Sequence, residues 1–489
     1  MTRVRPRWVA RALLAAVVML AGGCRPEGPP IEKTLLVRLP PEYLPETMVI
    51  SEDGTTWAFV QRAGGREQVV TPAGAGDLHD KAVGLTFAPK SHRLFYWTRD
   101  GLHDAAKIAI VADGTAVPTD FLANGQLGFA TDGTRWYAAG AAPPAEAGTI
   151  GDITLFVDGA PALRHPDPSM PSFSPDGKHV AWLTATDRRS SLVVDGAVAR
   201  TFDPPTAPCA AAALLAAPRP DLPLRHVVKY LPGGRLLIVT RDADGWGIYV
   251  DDERIASYPV SGLDNATPEC ATGASFAPRS LRTADAAAVA VWWERVPGEP
   301  PRWRIARNGR PFDAVTCVDT WKRHPPEPSA DGARVVYPCL EQDATGVQHV
   351  TLVHGAGRYG PYESVWGIAP VASGAHVAYG AQHGTAERSW GVYVDGERRA
   401  GPFTSVWRPR VSDDGRHVAW EAKRTPDTRG VFGIDARTLG EFDEILWGPE
   451  FTADDRVAWI IRRNRSITRI TVPVAIAKDP DHSYRVIRR

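Results

Sequence analysis

The chain has no long run of one charge sign, and Lys+Arg and Asp+Glu balance at 56 each. A nucleic-acid binder presents a basic face, so that class is excluded. Cysteine is scarce, five in 489 residues, and none stands in a Cys-x-x-Cys pair, which leaves zinc and thiol-redox motifs without support. His-Glu-x-x-His, a phosphate-binding Walker loop and the dinucleotide glycine pattern are missing. So is the Gly-x-Ser-x-Gly elbow of the α/β-hydrolases. No apolar run reaches the roughly 20 residues of a membrane-spanning helix. No metal, cofactor or catalytic residue is therefore assigned. Turn formers are plentiful: 45 Gly and 43 Pro, spread at regular intervals, as many hairpins require.

An Asp-Gly turn followed by an apolar strand recurs ten times, in strict or degraded form, between Ser51 and Trp459. Clear copies are Ser174-Pro-Asp-Gly-Lys-His-Val-Ala-Trp182, Ser412-Asp-Asp-Gly-Arg-His-Val-Ala-Trp420, Ser329-Ala-Asp-Gly-Ala-Arg-Val-Val-Tyr337 and Ser51-Glu-Asp-Gly-Thr-Thr-Trp-Ala-Phe59. Looser copies begin near Phe87, Ala130, Leu231, Phe276, Val371 and Thr452. The mean period of about 45 residues belongs to propeller blades rather than helical solenoids. Within a unit, a short strand A ends at the Ser-x-Asp-Gly turn and strand B follows. Strand C ends in Val-Asp-Gly, as in Leu192-Val-Val-Asp-Gly196 and Val392-Tyr-Val-Asp-Gly396. A fourth strand recurs as Gly360-Pro-Tyr-Glu-Ser-Val-Trp366 and Gly401-Pro-Phe-Thr-Ser-Val-Trp407.

The fold class is thus all-β, a β-propeller of four-stranded antiparallel blades over residues 34–475, with a tail at 476–489. Ten units imply eight to ten blades in one closed ring. Two units absorbed as extra hairpins, or two unequal propellers, are the alternatives. The last unit lacks a fourth strand, and Thr34-Leu-Leu-Val-Arg-Leu39 at the chain start supplies one, which would close the ring. Insertions at 141–151, 204–225 and 264–274 read as loops, with a short helix possible at Ala210–Ala217.

Residues 1–23 read as a targeting segment. Arg3, Arg5, Arg7 and Arg11 form a basic start, Ala12–Leu20 an apolar stretch, and Ala21-Gly-Gly-Cys24 places small residues before a cysteine. The segment resembles a bacterial lipoprotein signal, which implies lipid on Cys24, a linker over 24–33 and a membrane attached through that lipid. Arg25 stands where an inner-membrane lipoprotein carries Asp, so the resemblance implies the outer membrane. An ordinary cleaved secretory signal is the alternative. In such an oxidising compartment Cys209, Cys270, Cys317 and Cys339 form an even set of possible disulfide partners. Cys209–Cys270 with Cys317–Cys339 is the preferred pairing of the three that four cysteines allow.

The Ser-Pro-Asp-Gly-x-x-Val-Ala-Trp units, each followed by apolar-Val-Asp-Gly, resemble the WD-repeat-like propeller repeat of the TolB type over about 45–475. The resemblance implies a propeller fold. TolB itself carries an α/β domain ahead of its propeller, which has no counterpart here, so its partners do not carry over. Prolyl-oligopeptidase-like enzymes use related propellers as caps on a hydrolase domain, again absent from this sequence.

Individual residues mostly read as structural. His179, His376 and His417 fall at one place in three units, which suggests a packing or turn role. Asp53, Asp132, Asp176, Asp331 and Asp414 precede turn glycines and are expected to cap their own turns. Asp242-Ala-Asp-Gly245 lacks the remaining spacing of a calcium loop and reads as a B–C hairpin. Among 16 tryptophans, Trp57, Trp136, Trp182, Trp420 and Trp459 read as core between blades. Trp366, Trp407 and Trp447 also repeat in register and are expected to be structural. Trp292-Trp293 breaks the pattern; alternation puts the two on opposite faces, so one is expected to be exposed as a candidate binding surface. The functional expectation is a lipid-anchored cell-envelope propeller acting as a non-catalytic protein- or peptide-binding scaffold. The alternatives are a propeller enzyme of glycan lyase or hydrolase type, with its site at the channel mouth, and an outer-membrane assembly factor.

Overall fold

The computed structural model describes residues 31–474, except for internal segments of which 204–225 and 259–274 are the longest. The leader, Cys24, Cys209, Cys270, Ala210–Ala217 and the tail lie outside the described residues. Ten antiparallel sheets follow one another along the chain. Blades 1 to 10 cover residues 49–79, 81–118, 126–165, 172–202, 227–258, 275–311, 319–362, 364–403, 405–442 and 444–473. Each is a meander of strands A to D, and in blades 6 and 7 strand A is split into two short pieces. The ten sequence units are therefore ten blades. Strands A of neighbouring blades pack on one another, as between blades 8 and 9, 9 and 10, and 10 and 1, so they form the inner wall of the ring.

Turn chemistry explains why the repeat is written as it is. At the A–B turn of blade 4 the Gly177 N–H donates to Ser174 O at 2.9 Å, with Gly177 at φ 70°, a conformation glycine adopts without strain. Ser174 Oγ donates to Asp176 Oδ1 at 2.6 Å and accepts from the His179 N–H at 2.9 Å. Ser329 with Asp331 and Ser412 with Asp414 repeat the arrangement. Hydrogen bonds from these serines, then from backbone N–H groups, hold Asp176, Asp331 and Asp414 below the usual carboxylate range. At the C–D turns Asp195-Gly196 (φ 50° and 83°) and Asp395-Gly396 (φ 48° and 87°) have the left-handed pair of a type I′ hairpin.

Because strand direction alternates, the A–B and C–D turns share one rim of the ring, here the turn rim. The B–C and D–A connections share the other. The insertions at 144–151, 204–225 and 264–274 lie outside the described residues. The turn rim is stitched from blade to blade: Arg93 Nη1 donates to Thr134 O at 2.7 Å, Arg135 Nη1 to Gly177 O at 3.1 Å, and Arg334 Nη1 to Gly374 O at 2.9 Å.

The ring closes through the chain start. Strand β1 (Glu32–Arg38) pairs antiparallel with the third strand of blade 10, Glu32 opposite Thr471 and Arg38 opposite Ser466. Blade 10 is also stitched to blade 1, with Trp447 Nε1 donating to Glu52 O at 2.9 Å and Arg469 Nη1 to Gly54 O at 3.0 Å.

Apolar side chains alternate along strand B, but each blade has a neighbour on both faces. Trp292 and Trp293 show the consequence. They do point to opposite faces, yet both are 0 % exposed. Trp292 packs with Leu237, Val239 and Ile248 of blade 5, and Trp293 with Val335 and Tyr337 of blade 7. The expectation that one of them is exposed is corrected: neither lies on a binding surface. Cys317 and Cys339 are joined in a disulfide with Cα atoms 5.3 Å apart.

Candidate functional site

The histidines singled out above serve the turns. His179 Nδ1 lies 2.7 Å from Asp195 Oδ2, His376 Nδ1 2.6 Å from Asp395 Oδ2, and His417 Nδ1 2.9 Å from Asp435 Oδ2. Each of these aspartates also accepts the N–H that opens strand B, so the pair locks two turns of one blade together. Asp242 closes a B–C hairpin opposite Gly245 and accepts from Tyr249 and Arg254. Burial, then the hydrogen bond to Asp242, pushes the Tyr249 hydroxyl up to about 12. Among the described residues, no three His, Cys, Asp or Glu side chains gather as a metal site.

The inner wall carries a different pattern. In blades 2, 8, 9 and 10, strand A bulges at one equivalent place: Val83–Thr86, Trp366–Ala369, Trp407–Arg410 and Trp447–Glu450. A bulge inserts extra residues on one strand and bends it, which re-aims the side chains on either side. The residue after the first position has positive φ in all four: Gly84 at 66°, Gly367 at 63°, Arg408 at 37° and Gly448 at 87°.

The three tryptophans that open these bulges do not share one environment. Trp447 is half-buried, packed between the Glu52–Gly54 turn of blade 1 and the Arg469 guanidinium, 5.5 Å from its ring centroid. Trp366 is 45 % exposed and Trp407 37 % exposed, although both were expected to be structural. They stand on adjacent strands, and the bulges touch: a side-chain carbon on Gly367 would meet Pro409 Cδ at 2.8 Å and Arg408 N at 3.2 Å. Arg408 and Arg410 lie exposed beside them. Arg408 has no hydrogen-bond or ion-pair partner among the described residues, and Arg410 Nη1 donates only weakly to its neighbour's carbonyl, Pro409 O, at 3.3 Å.

Behind this patch lies Glu421, opposite Trp407 in the sheet and 4 % exposed. Its Oε1 has no hydrogen-bond partner among the described residues. Burial pushes the carboxyl up to about 8, against the pull of Arg408 and Arg410. Glu450 of blade 10 is raised by burial as well and lies within the field of Arg410 and Glu52. The arrangement sets two exposed indoles and two exposed guanidinium groups beside one buried acid. Sequence reasoning placed Trp366 and Trp407 in register but passed over Arg408, Arg410 and Glu421. The signal was present: aligning Trp366-Gly367, Trp407-Arg408 and Trp447-Gly448 sets an arginine against two glycines.

No protein family matches the sequence, and no curated protein does. Among solved structures the chain is similar to the β-propeller domain of the Trilobed protease from Pyrococcus furiosus, at 12 % identity over 65 % of this chain and 94 % of that one, TM-score 0.29. It is similar to the Pyrococcus horikoshii acylaminoacyl peptidase at 11 % identity over 68 % of this chain and 56 % of that one, TM-score 0.30. A putative TolB from Agrobacterium tumefaciens is matched at 12 % identity over 50 % of this chain and 82 % of that one, TM-score 0.23.

Proposed function

We propose that this protein is a non-catalytic binding platform for a protein or peptide partner in a bacterial cell envelope, held at the outer membrane by lipid on Cys24. The observation that carries the reading is the exposed pair Trp366 and Trp407 with Arg408 and Arg410 on the inner wall. Tryptophan and arginine are the side chains most enriched at the energetic centres of protein interfaces. The two indoles are more exposed than the other repeated tryptophans: Trp136, Trp182, Trp420 and Trp459 are buried, and Trp57 and Trp447 are half-buried. The leader sequence supports the location: a basic start, an apolar stretch and Ala21-Gly-Gly-Cys24.

The test is crosslinking in cells followed by affinity capture and mass spectrometry, comparing wild type with Trp366→Ala/Trp407→Ala and with Cys24→Ala. A reproducible envelope protein captured by wild type and lost with the tryptophan variant is the expected result. Capture of an identical set of proteins by the tryptophan variant, with its melting temperature unchanged, would remove the inner wall as the platform. A captured outer-membrane assembly machine would instead establish the assembly-factor alternative.

A further inference from the structure

Blade 9 departs from the repeat at two neighbouring places. Arg408 occupies a left-handed position that the equivalent bulges give to Gly84, Gly367 and Gly448. Left-handed backbone is unfavourable for any residue with a Cβ, and Pro409 restricts Arg408 further. Glu421 occupies a strand-B place that other blades fill with Trp97, Leu183, Trp293 or Ile460. One change strains the backbone, and the other buries a carboxyl without a partner. Strain and orphaned polar groups persist where the surrounding structure enforces them, which is at functional sites more often than elsewhere. Here the two are neighbours: Glu421 pairs across the sheet with Trp407, the residue before Arg408.

We propose that Arg408 and Arg410, flanked by Trp366 and Trp407, bind a carboxylate of a peptide ligand on the inner wall. This rests on the binding-platform reading and names its ligand chemistry. A guanidinium fork matches a carboxylate in two parallel hydrogen bonds, and Arg408 makes no hydrogen bond or ion pair among the described residues. Arg408 and Arg410 both lie exposed there, two neighbouring cations that complement an anionic group. The indoles on either side offer flat apolar faces to the side chains next to the anchoring group.

The glycine of the other bulges supplies the variant. Arg408→Gly restores the repeat's own residue, so its melting temperature is expected to equal or exceed that of wild type. The full chain is immobilised and challenged with two pools of random heptapeptides. One pool contains Asp and Glu and has free C-termini; the other lacks acids and is amidated. Wild type is expected to retain the acidic pool preferentially, and Arg408→Gly to weaken that retention roughly tenfold or more, the loss of one charged hydrogen-bonded contact. Equal retention of both pools by wild type, or full retention by a folded Arg408→Gly, would overturn the proposal. Arg408-dependent retention of uronic-acid oligosaccharides without peptides would overturn the peptide assignment. An envelope partner still captured in cells by Arg408→Gly would leave the platform standing and remove this site from it.

Discussion

A single buried carboxyl sets the most readable pH dependence in the molecule. Burial raises Glu421 from 4.5 in the unfolded chain to about 8 in the fold. Between those values the folded protein holds a proton that the unfolded chain has released. Stability attributable to Glu421 therefore falls as pH rises through that window. The turn aspartates act in the opposite sense: Asp176, Asp331 and Asp414 are depressed, so their contribution is lost as pH falls through their folded values. Glu421→Gln keeps the shape and removes the titration. It is expected to match wild type in urea unfolding near pH 4 and to exceed it by a few kcal/mol at pH 8, one pKa unit being about 1.4 kcal/mol. A variant no more stable than wild type at pH 8 would mean that the carboxyl has a compensating partner there. Much at this scale was legible. The Asp-Gly turns announce their φ requirements, and the histidine before Val-Ala, read as serving packing or a turn, pairs with a turn aspartate. Arg408 is legible only when the repeats are aligned, where it stands against the glycines of other blades, and Glu421 reads as an ordinary charged residue until both faces of its strand are known to be covered.

Strands are where sequence reasoning succeeded and failed for one reason. Period-two alternation correctly sent Trp292 and Trp293 to opposite faces. The inference that one face is wet failed because a blade in a ring has a neighbour on each side, so Trp292 and Trp293 are both buried. Strand A of blade 7 shows a weakness that the chain repairs covalently. Among the described residues it consists of Asp319–Thr320 and Glu327–Pro328, each pairing with strand B over two residues. Cys317 lies just ahead of the first piece and is bonded to Cys339 on strand B, 22 residues away in sequence. The crosslink ties the broken strand to the sheet where hydrogen bonds are few. Replacing both cysteines with serine is expected to cost about 2–4 kcal/mol, the usual effect of removing such a loop-closing bond. Denaturant midpoints of wild type, of wild type with reductant and of the double variant check it. The last two should agree, and a midpoint equal to oxidised wild type in either would show that strand A needs no staple.

At the scale of the whole molecule, closure is the feature on which the fold depends, and it is non-local. Strand β1 must find a partner more than 400 residues away in sequence, Glu32 against Thr471. Such a contact is formed late, because the chain between its ends must be ordered or looped first. The other blades make the same C–D contact through a two-residue turn: Val194 pairs with Ala197 across Asp195-Gly196, and Val394 with Glu397 across Asp395-Gly396. Since Thr471 already faces Glu32, the register of blade 10 accepts that turn unchanged. A circular permutant follows from this. Thr471 is joined to Glu32 by Asp-Gly, and the chain is opened between Pro40 and Pro41. The cut spares the Leu39 N–H bond to Arg465 O and the Leu44 N–H bond to Val60 O, which hold the two sides of the junction. The permutant converts the ring's longest contact into a local hairpin at the cost of Ile31 and Val472, both buried in the core of blade 10. It is expected to melt in one cooperative transition and to refold faster in stopped-flow experiments. Deleting residues 31–40 from the natural chain should instead broaden or lower the transition, because blade 10 then exposes an edge. A permutant that fails to fold while the deletion melts like wild type would show that strand β1 decorates the ring rather than closing it.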